Sequence, residues 1–382
     1  MDKIITPWEV NVKSEDDYNK AVKEFGLGIL DEDLKEELRK ITKDLHVLIR
    51  RGFYYAHRDF NLVLEEYLEG KKFFLYTGRA PSKGKMHIGH LIPFILTKWF
   101  QEKFNINAYI MLPDEEKFWA KKINDPEEAK RKAYEEAKII ASLGFDPDKT
   151  FIFIDSEYIK HLYSGAIYVA RYINYSTAKS VFGFTDDTSI GLIFYPALQI
   201  VPTFFEENKA LIPAGIDQDP YFRLQRDIAE RLGYKKAASI YSKFVWGLKG
   251  PYTKMSSSEP ESAIFIDDDY QTIRKKIMKY AFSGGQPTIE EHRRLGGNPD
   301  IDVCFFWLRV LFEEDDKKLK ELEEKYKSGE LLTGELKEYT AKRIWEFLSK
   351  IRENMEKVKI EKFMYDGKLA KEMWEWKFKP RK

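Results

Sequence analysis

The rhythm of apolar and polar positions changes twice along the chain. Over the first 70 residues charged and apolar positions alternate with helical spacing, as in Glu32-Asp33-Leu34-Lys35-Glu36-Glu37-Leu38, which predicts a helical appendage. Lys71–Gly78 is then an apolar run that ends on glycine, the pattern of a strand buried on both faces. A loop rich in Gly, Ser, Pro and Lys spans Arg79 to Met86. His87–Phe104 reads as a buried helix, in which Pro93 is tolerable if the helix starts near His90. Ala108–Pro113 is a second strand, Pro126–Leu143 an amphipathic helix ended by Gly144, and Phe151–Asp155 a third strand. Ala210–Ile216 is a fourth strand despite Pro213, and Asp219–Leu232 is a helix ended by Gly233. Strands alternating with helices specify a parallel sheet wrapped by helices, an α/β architecture. Residues 156–205 are less regular and rich in Tyr and Phe. Beyond residue 270 the apolar positions (Leu319, Leu322 and Tyr326, then Leu336, Ile344, Leu348 and Ile351) keep helical spacing, which predicts an all-α region. The expected organisation is an appendage over 1–70, a sheet domain over 71–268 and a helical domain over 269–382.

Composition narrows the classes. A chain of 382 residues, 43% hydrophobic and 15% aromatic, has the length for two or three domains with real cores. Lys+Arg number 64 and Asp+Glu 63, a net charge of +1. That excludes a strongly basic nucleic-acid coat, but not local contacts through a basic patch. One cysteine, Cys304, excludes an intrachain disulfide and any Cys-cluster metal site, and points to a reducing interior. No apolar run reaches the roughly 18 to 20 residues of a membrane span, and Met1–Pro7 has no signal-peptide core. The expectation is a cytoplasmic protein without membrane association.

Two short segments carry candidate chemistry. His87-Ile88-Gly89-His90 follows a strand and opens a helix. Its imidazoles are one turn apart, its glycine admits another molecule to the backbone, and a helix N-terminus suits a phosphate. The same spacing also fits a metal pair or simple capping residues. Lys254-Met255-Ser256-Ser257-Ser258 lies in a Gly/Pro/Ser-rich stretch. Its ammonium and hydroxyls could close over a pyrophosphate, or belong to an ordinary solvated loop.

Together, in this order and context, HxGH and KMSxS resemble the signature of class I aminoacyl-tRNA synthetases. The resemblance extends to Tyr76–Ser82, Met86–Phe94, Asp114–Lys117, Phe182–Asp186, Ile216–Arg223 and Ala281–Gly285. These segments are similar to tryptophanyl-tRNA synthetases of the archaeal and eukaryotic type, from about Pro7 to near the C-terminus. The resemblance implies a Rossmann-like doubly wound parallel sheet with a C-terminal all-α anticodon-binding domain. It implies two steps: tryptophan and ATP give tryptophanyl-adenylate and pyrophosphate, and the tryptophanyl group then passes to the 3′ end of tRNA(Trp). By resemblance, His87, Gly89 and His90 bind ATP, Arg79 helps at the phosphates, and Gly215 and Asp217 line the ribose. Lys254, Ser256, Ser257 and Ser258 hold the β- and γ-phosphates with Mg2+. No resident metal is expected.

For the amino acid, the resemblance assigns Glu116, Gln199 and Gln218 to the α-amino end and the Tyr76 hydroxyl to the indole N–H. Met111 stands where eukaryotic relatives carry a glutamine, and is expected to pack on the indole. Arg293 and Arg294 are candidate tRNA contacts. The tail Trp376–Lys382, with four basic residues and two aromatics, reads either as a further RNA contact or as a frayed end. Residues 156–205 would build a homodimer contact, and Thr6–Val12 a strand that folds over the active site. A tyrosine-activating enzyme, a nucleotidyltransferase and a non-catalytic relative are the competing readings. The nucleotidyltransferase leaves the KMSSS loop and the helical C-terminal region unexplained. A non-catalytic relative would have lost His87, His90 or Lys254.

Overall fold

A computed structural model describes residues 11–381. Seven strands form one sheet in the order β1-β2-β7-β6-β3-β4-β5. They are β1 (Gly28–Ile29), β2 (Tyr54–Arg58), β3 (Phe73–Gly78), β4 (Ala108–Leu112), β5 (Thr150–Ile154), β6 (Lys209–Gly215) and β7 (Ala238–Ser242). Strands β7, β6, β3, β4 and β5 are mutually parallel, with Gly78 opposite Met111 and Phe73 opposite Lys209. From β3 the chain winds first to β4 and β5, then returns to the other side for β6 and β7. The crevice beyond the carboxyl ends of β3 and β6 is therefore the topological switch point, where sheets of this kind take ligands.

Strands β3 to β6 are buried on both faces, so their sequences are near-continuous apolar runs. The helix Pro126–Ala141 starts as its composition dictates: the Asp125 side chain accepts from the Glu127 amide, and Pro126 occupies the first turn. Asp219–Leu232 ends on Gly233 in the left-handed region. The expected helix over His87–Phe104 divides into a 3-10 turn, Ile88–Leu91, and an α-helix, Ile92–Phe104, with Pro93 in its first turn.

Three expectations need correction. The first 70 residues are not a separate appendage: β2 pairs antiparallel with β7, and β1 with β2, so they extend the sheet. Arg58 at the end of β2 bonds the buried Asp219 carboxylate at 2.9 Å, locking this segment to the sheet. Neither β2 (YYAHR) nor β7 (ASIYS) has the unbroken apolar run that marks the other strands. Residues 156–205 are mostly helical, in Asp155–Ala170, Tyr175–Phe182 and Ile190–Ile200. The last of these (IGLIFYPALQI) has no polar face to betray its period, and it accommodates Pro196. The tail is not frayed, though its basic residues Lys377, Lys379 and Arg381 stay exposed. Trp376 packs on Phe205 and Phe378 stacks on Tyr234, while the Tyr234 hydroxyl donates to the Lys379 carbonyl at 2.9 Å.

The region beyond residue 270 is helical, as its spacing predicts; its longest helix is Thr333–Lys357. It shares a core with one face of the sheet: the Trp307 indole N–H donates to the Trp246 carbonyl at 2.9 Å, and Trp246 stacks on Phe306 at 4.0 Å. The strand expected over Thr6–Val12 falls outside the described residues but for its last two, of which Val12 is buried. Among the described residues no helix is long and apolar enough to cross a membrane.

Candidate active site

A cavity of about 400 Å3 opens at the switch point, within the range of small-molecule sites. Its lining brings together Tyr76, Arg79, Gly89, His90, Met111, Glu116, Gln199, Gly215, Asp217 and Gln218. These come from the ends of β3, β4 and β6, from the segments that follow them and, for Gln199, from the helix Ile190–Ile200. His87 lies just behind, its ring stacked on His90 at 3.5 Å between centroids.

The amino-acid end is built from the strand termini. The Tyr76 hydroxyl donates to the Gln199 carbonyl at 2.9 Å and touches the Met111 sulfur at 3.0 Å. A phenol that donates its only proton to a fixed carbonyl keeps a lone pair for an incoming N–H. The Gln199 amide donates to Gln218 Oε1 at 3.2 Å, and the Gln218 amide to Asp217 Oδ2 at 3.0 Å. This chain leaves Gln199 Oε1 buried without a partner, an acceptor in want of a donor. A Cβ at Gly215 would stand 2.5 Å from Asp217 Oδ1, so glycine leaves that carboxylate in place. Burial raises the Asp217 carboxyl above its ordinary range, against its amide partner and Lys254.

At the other end stand the two imidazoles. Burial, then the Arg79 charge, pushes His87 down to about 3 and His90 well below the ordinary value. Both rings are neutral at pH 7 and can meet phosphate only as hydrogen-bond donors. The His87 amide donates to His90 Nδ1 at 3.3 Å, and a neutral ring that accepts there carries its proton on Nε2. His87 Nδ1 is buried without a partner. At Gly89 a Cβ would come within 3.2 Å of the His87 ring, so glycine preserves the stack.

Arg79, expected at the phosphates, already has a protein partner. Its guanidinium is paired with the buried Glu136, and Nη2 lies 3.4 Å from His90 Nε2. Lys254 and its serines lie outside the cavity lining. The Lys254 ammonium sits over the Phe244 ring at 5.0 Å, and burial lowers its pKa. Ser257 Oγ donates to the Lys85 carbonyl at 2.9 Å, Ser256 Oγ and Ser258 Oγ are 2.9 Å apart, and the Ser256 amide donates to Ser262 Oγ at 3.0 Å. This loop is docked on the Arg79–Met86 loop. Arg293 and Arg294 lie on the helix Ile289–Leu295, in the C-terminal region. Both are exposed, and Arg293 also bonds the Gly329 and Glu330 carbonyls.

Several residues escaped sequence reasoning. Lys117, 2.8 Å from Glu116 Oε1, brings an ammonium to the lining, and Tyr195 and Tyr221 complete its wall. Asp155 is buried and Glu115 half-buried with its carboxyl group hidden, and none of their four carboxyl oxygens has a donor. Burial, with the charges of Asp114 and Glu116 nearby, pushes Glu115 up to about 8; burial, then the Glu115 and Asp114 charges, pushes Asp155 upward too. Their acidity reads as surface in a sequence; only the packing of two helix starts hides it. Among the described residues no group of three or more His, Cys, Asp or Glu is placed to hold a metal ion.

The profile of the class I tRNA synthetases (W and Y) matches residues 68–349. The tryptophan–tRNA ligase of Sulfurisphaera tokodaii is 55% identical over 373 residues, 97% of this chain and 97% of that protein. Among solved structures, the tryptophanyl-tRNA synthetase of Plasmodium falciparum superposes with a TM-score of 0.87 at 39% identity, covering 92% of this chain and 98% of its own. That of Encephalitozoon cuniculi, bound to tryptophan, gives 0.85 at 39%, covering 94% and 99%.

Proposed function

The chain belongs to the class I tRNA synthetases of the tryptophan and tyrosine family, and from that premise we infer that it is a tryptophan–tRNA ligase, with the roles of its residues as follows. The tryptophan carboxylate attacks the α-phosphorus of ATP. One P–O bond forms to the carboxylate, the bridging bond to the β-phosphate breaks, and pyrophosphate leaves. A carboxylate is already ionised at pH 7, so the site needs no general base; it must hold two anions together and stabilise the leaving group. A hydroxyl of the 3′-terminal adenosine of tRNA(Trp) then attacks the acyl carbon, and AMP departs.

The carrying observation is the polarity at the amino-acid end. Tyr76 has a lone pair to spare, beside the Met111 sulfur, where an indole N–H would lie. The unpartnered Gln199 Oε1, with Glu116 and Gln218, supplies acceptors for an ammonium. Tyrosine would want a carboxylate at its phenol. The nearby Asp219 is committed to Arg58 and to the Tyr241 hydroxyl, the latter at 3.0 Å. His87, Gly89, His90 and Arg79 meet the ATP phosphates, Gly215 and Asp217 the ribose. Lys254 with Ser256, Ser257 and Ser258 swings in on the β- and γ-phosphates. Mg2+ enters as the counter-ion of ATP.

The helix Asp155–Ala170 exposes Ile159, Tyr163 and Ile167 at a spacing of four, an apolar stripe that supports a homodimer. Arg294, and any donors Arg293 can spare, serve the tRNA. The setting is the cytoplasm. The test is amino-acid-dependent ATP–pyrophosphate exchange. Exchange with tryptophan is expected; exchange with tyrosine alone, or with neither, overturns the reading.

A further inference from the structure

We propose that Glu136, within the helix Pro126–Ala141, is a positioning residue for the ATP step, acting entirely through Arg79. The proposal rests on the reading that Arg79 meets the phosphates.

Glu136 is only 3% exposed. Its Oε2 accepts from Arg79 Nη1, and its Oε1 has no partner. The other cation on its flank, Lys132, is bonded to Glu135 at 2.7 Å. Arg79 is thus the counter-ion of this carboxylate, and breaking a buried pair by removing one partner is strongly destabilising. The guanidinium is held where Glu136 puts it.

The other end of Arg79 is fixed as well. Its amide donates to the Met111 carbonyl at 3.0 Å, continuing the β3–β4 ladder one residue past the strand. An arginine free in solution would lose much rotamer freedom on meeting a phosphate. Here that ordering is complete before ATP arrives. Toward the cavity the contacts are long: Nη2 is 3.4 Å from His90 Nε2 and 3.4 Å from Ser82 Oγ. Glu136 therefore grips one edge of the guanidinium while the opposite edge stays weakly engaged beside the imidazole pair. A phosphate oxygen at that edge would meet Arg79 and the His90 Nε2 proton together. The neutral imidazoles bring no charge, so the direction of the Arg79 charge matters all the more.

A double-mutant cycle in the exchange assay tests this: the intact enzyme, Glu136→Gln, Arg79→Met and the pair, with kcat and KM for ATP and for tryptophan. Glu136→Gln is expected to lower kcat/KM for ATP at least tenfold, leave KM for tryptophan within twofold, and cost nothing further in the Arg79→Met enzyme. An impaired Arg79→Met beside an unimpaired Glu136→Gln removes the proposal alone. Equal losses from Glu136→Gln in both backgrounds also remove it, because the residue would then act independently of Arg79. An unimpaired Arg79→Met removes the phosphate reading of Arg79 and the proposal with it. Should Glu136→Gln not fold, Glu136→Asp keeps the charge and shifts it: a raised KM for ATP with an unchanged KM for tryptophan upholds the proposal, and unchanged values for both overturn it.

Discussion

Replacing Glu115 by glutamine should change how the stability of this protein depends on pH. Glu115 and Asp155 lie at the starts of helices after β4 and β5 with their carboxyl oxygens buried and no donor for any of them. Two such groups coexist by keeping protons that water would take. Glu115 is pushed from 4.5 up to about 8. In the unfolded chain it ionises near the lower value, so between the two values the native state binds more protons. The stability that this contributes is full below about pH 4.5 and is lost as pH rises toward 8. The slope is roughly 1.4 kcal/mol per pH unit, so the loss across the window is a few kcal/mol. Glu115→Gln is neutral at every pH and can donate its amide to Asp155, so one proton leaves the linkage. Guanidinium unfolding followed by far-UV circular dichroism at pH 5, 7 and 9 measures it. The variant should match or fall slightly below the parent at pH 5 and exceed it by a few kcal/mol at pH 9. A difference that stays constant with pH would show that the pair shares no proton, and the reasoning would fail.

Tyr76→Phe removes the acceptor for the indole and strands the Gln199 carbonyl. At about 1–3 kcal/mol for a buried unpaired group, KM for tryptophan should rise some ten- to hundredfold in the exchange assay, and an unchanged KM would refute the role. Lys254→Ala should lower kcat by roughly a hundredfold or more while tryptophan affinity holds, because its contacts matter as pyrophosphate departs; single-turnover kinetics would expose an unaffected step. Phe378→Ala should cost about 3 kcal/mol through the cavity left against Tyr234 and Phe204, read as a lowered denaturation midpoint. No such loss would mean that the tail is not docked in solution.

Much of this protein is legible in the order of its residues. Apolar runs reveal β3 to β6, because a strand buried on both faces can carry few polar side chains. The helices Pro126–Ala141 and Asp219–Leu232 announce themselves by caps and period. The HxGH and KMSSS segments are local in sequence, so their chemistry shows without a fold. Contacts between distant segments cannot show that way. Nothing near Arg79 foretells Glu136, 57 residues on, and nothing in Glu115 foretells Asp155. Strands β2 and β7 become strands by pairing with each other, and β2 is held by Arg58 on Asp219, not by its own apolar content. The aromatic tail, basic and amphipathic as written, is committed by packing on Phe205 and Tyr234. Sequence thus determined the scaffold and the reacting groups, which depend on local pattern. Tertiary structure decided which charges are paired, which protons are kept and which donors stay free, because burial and long-range neighbours set those energies.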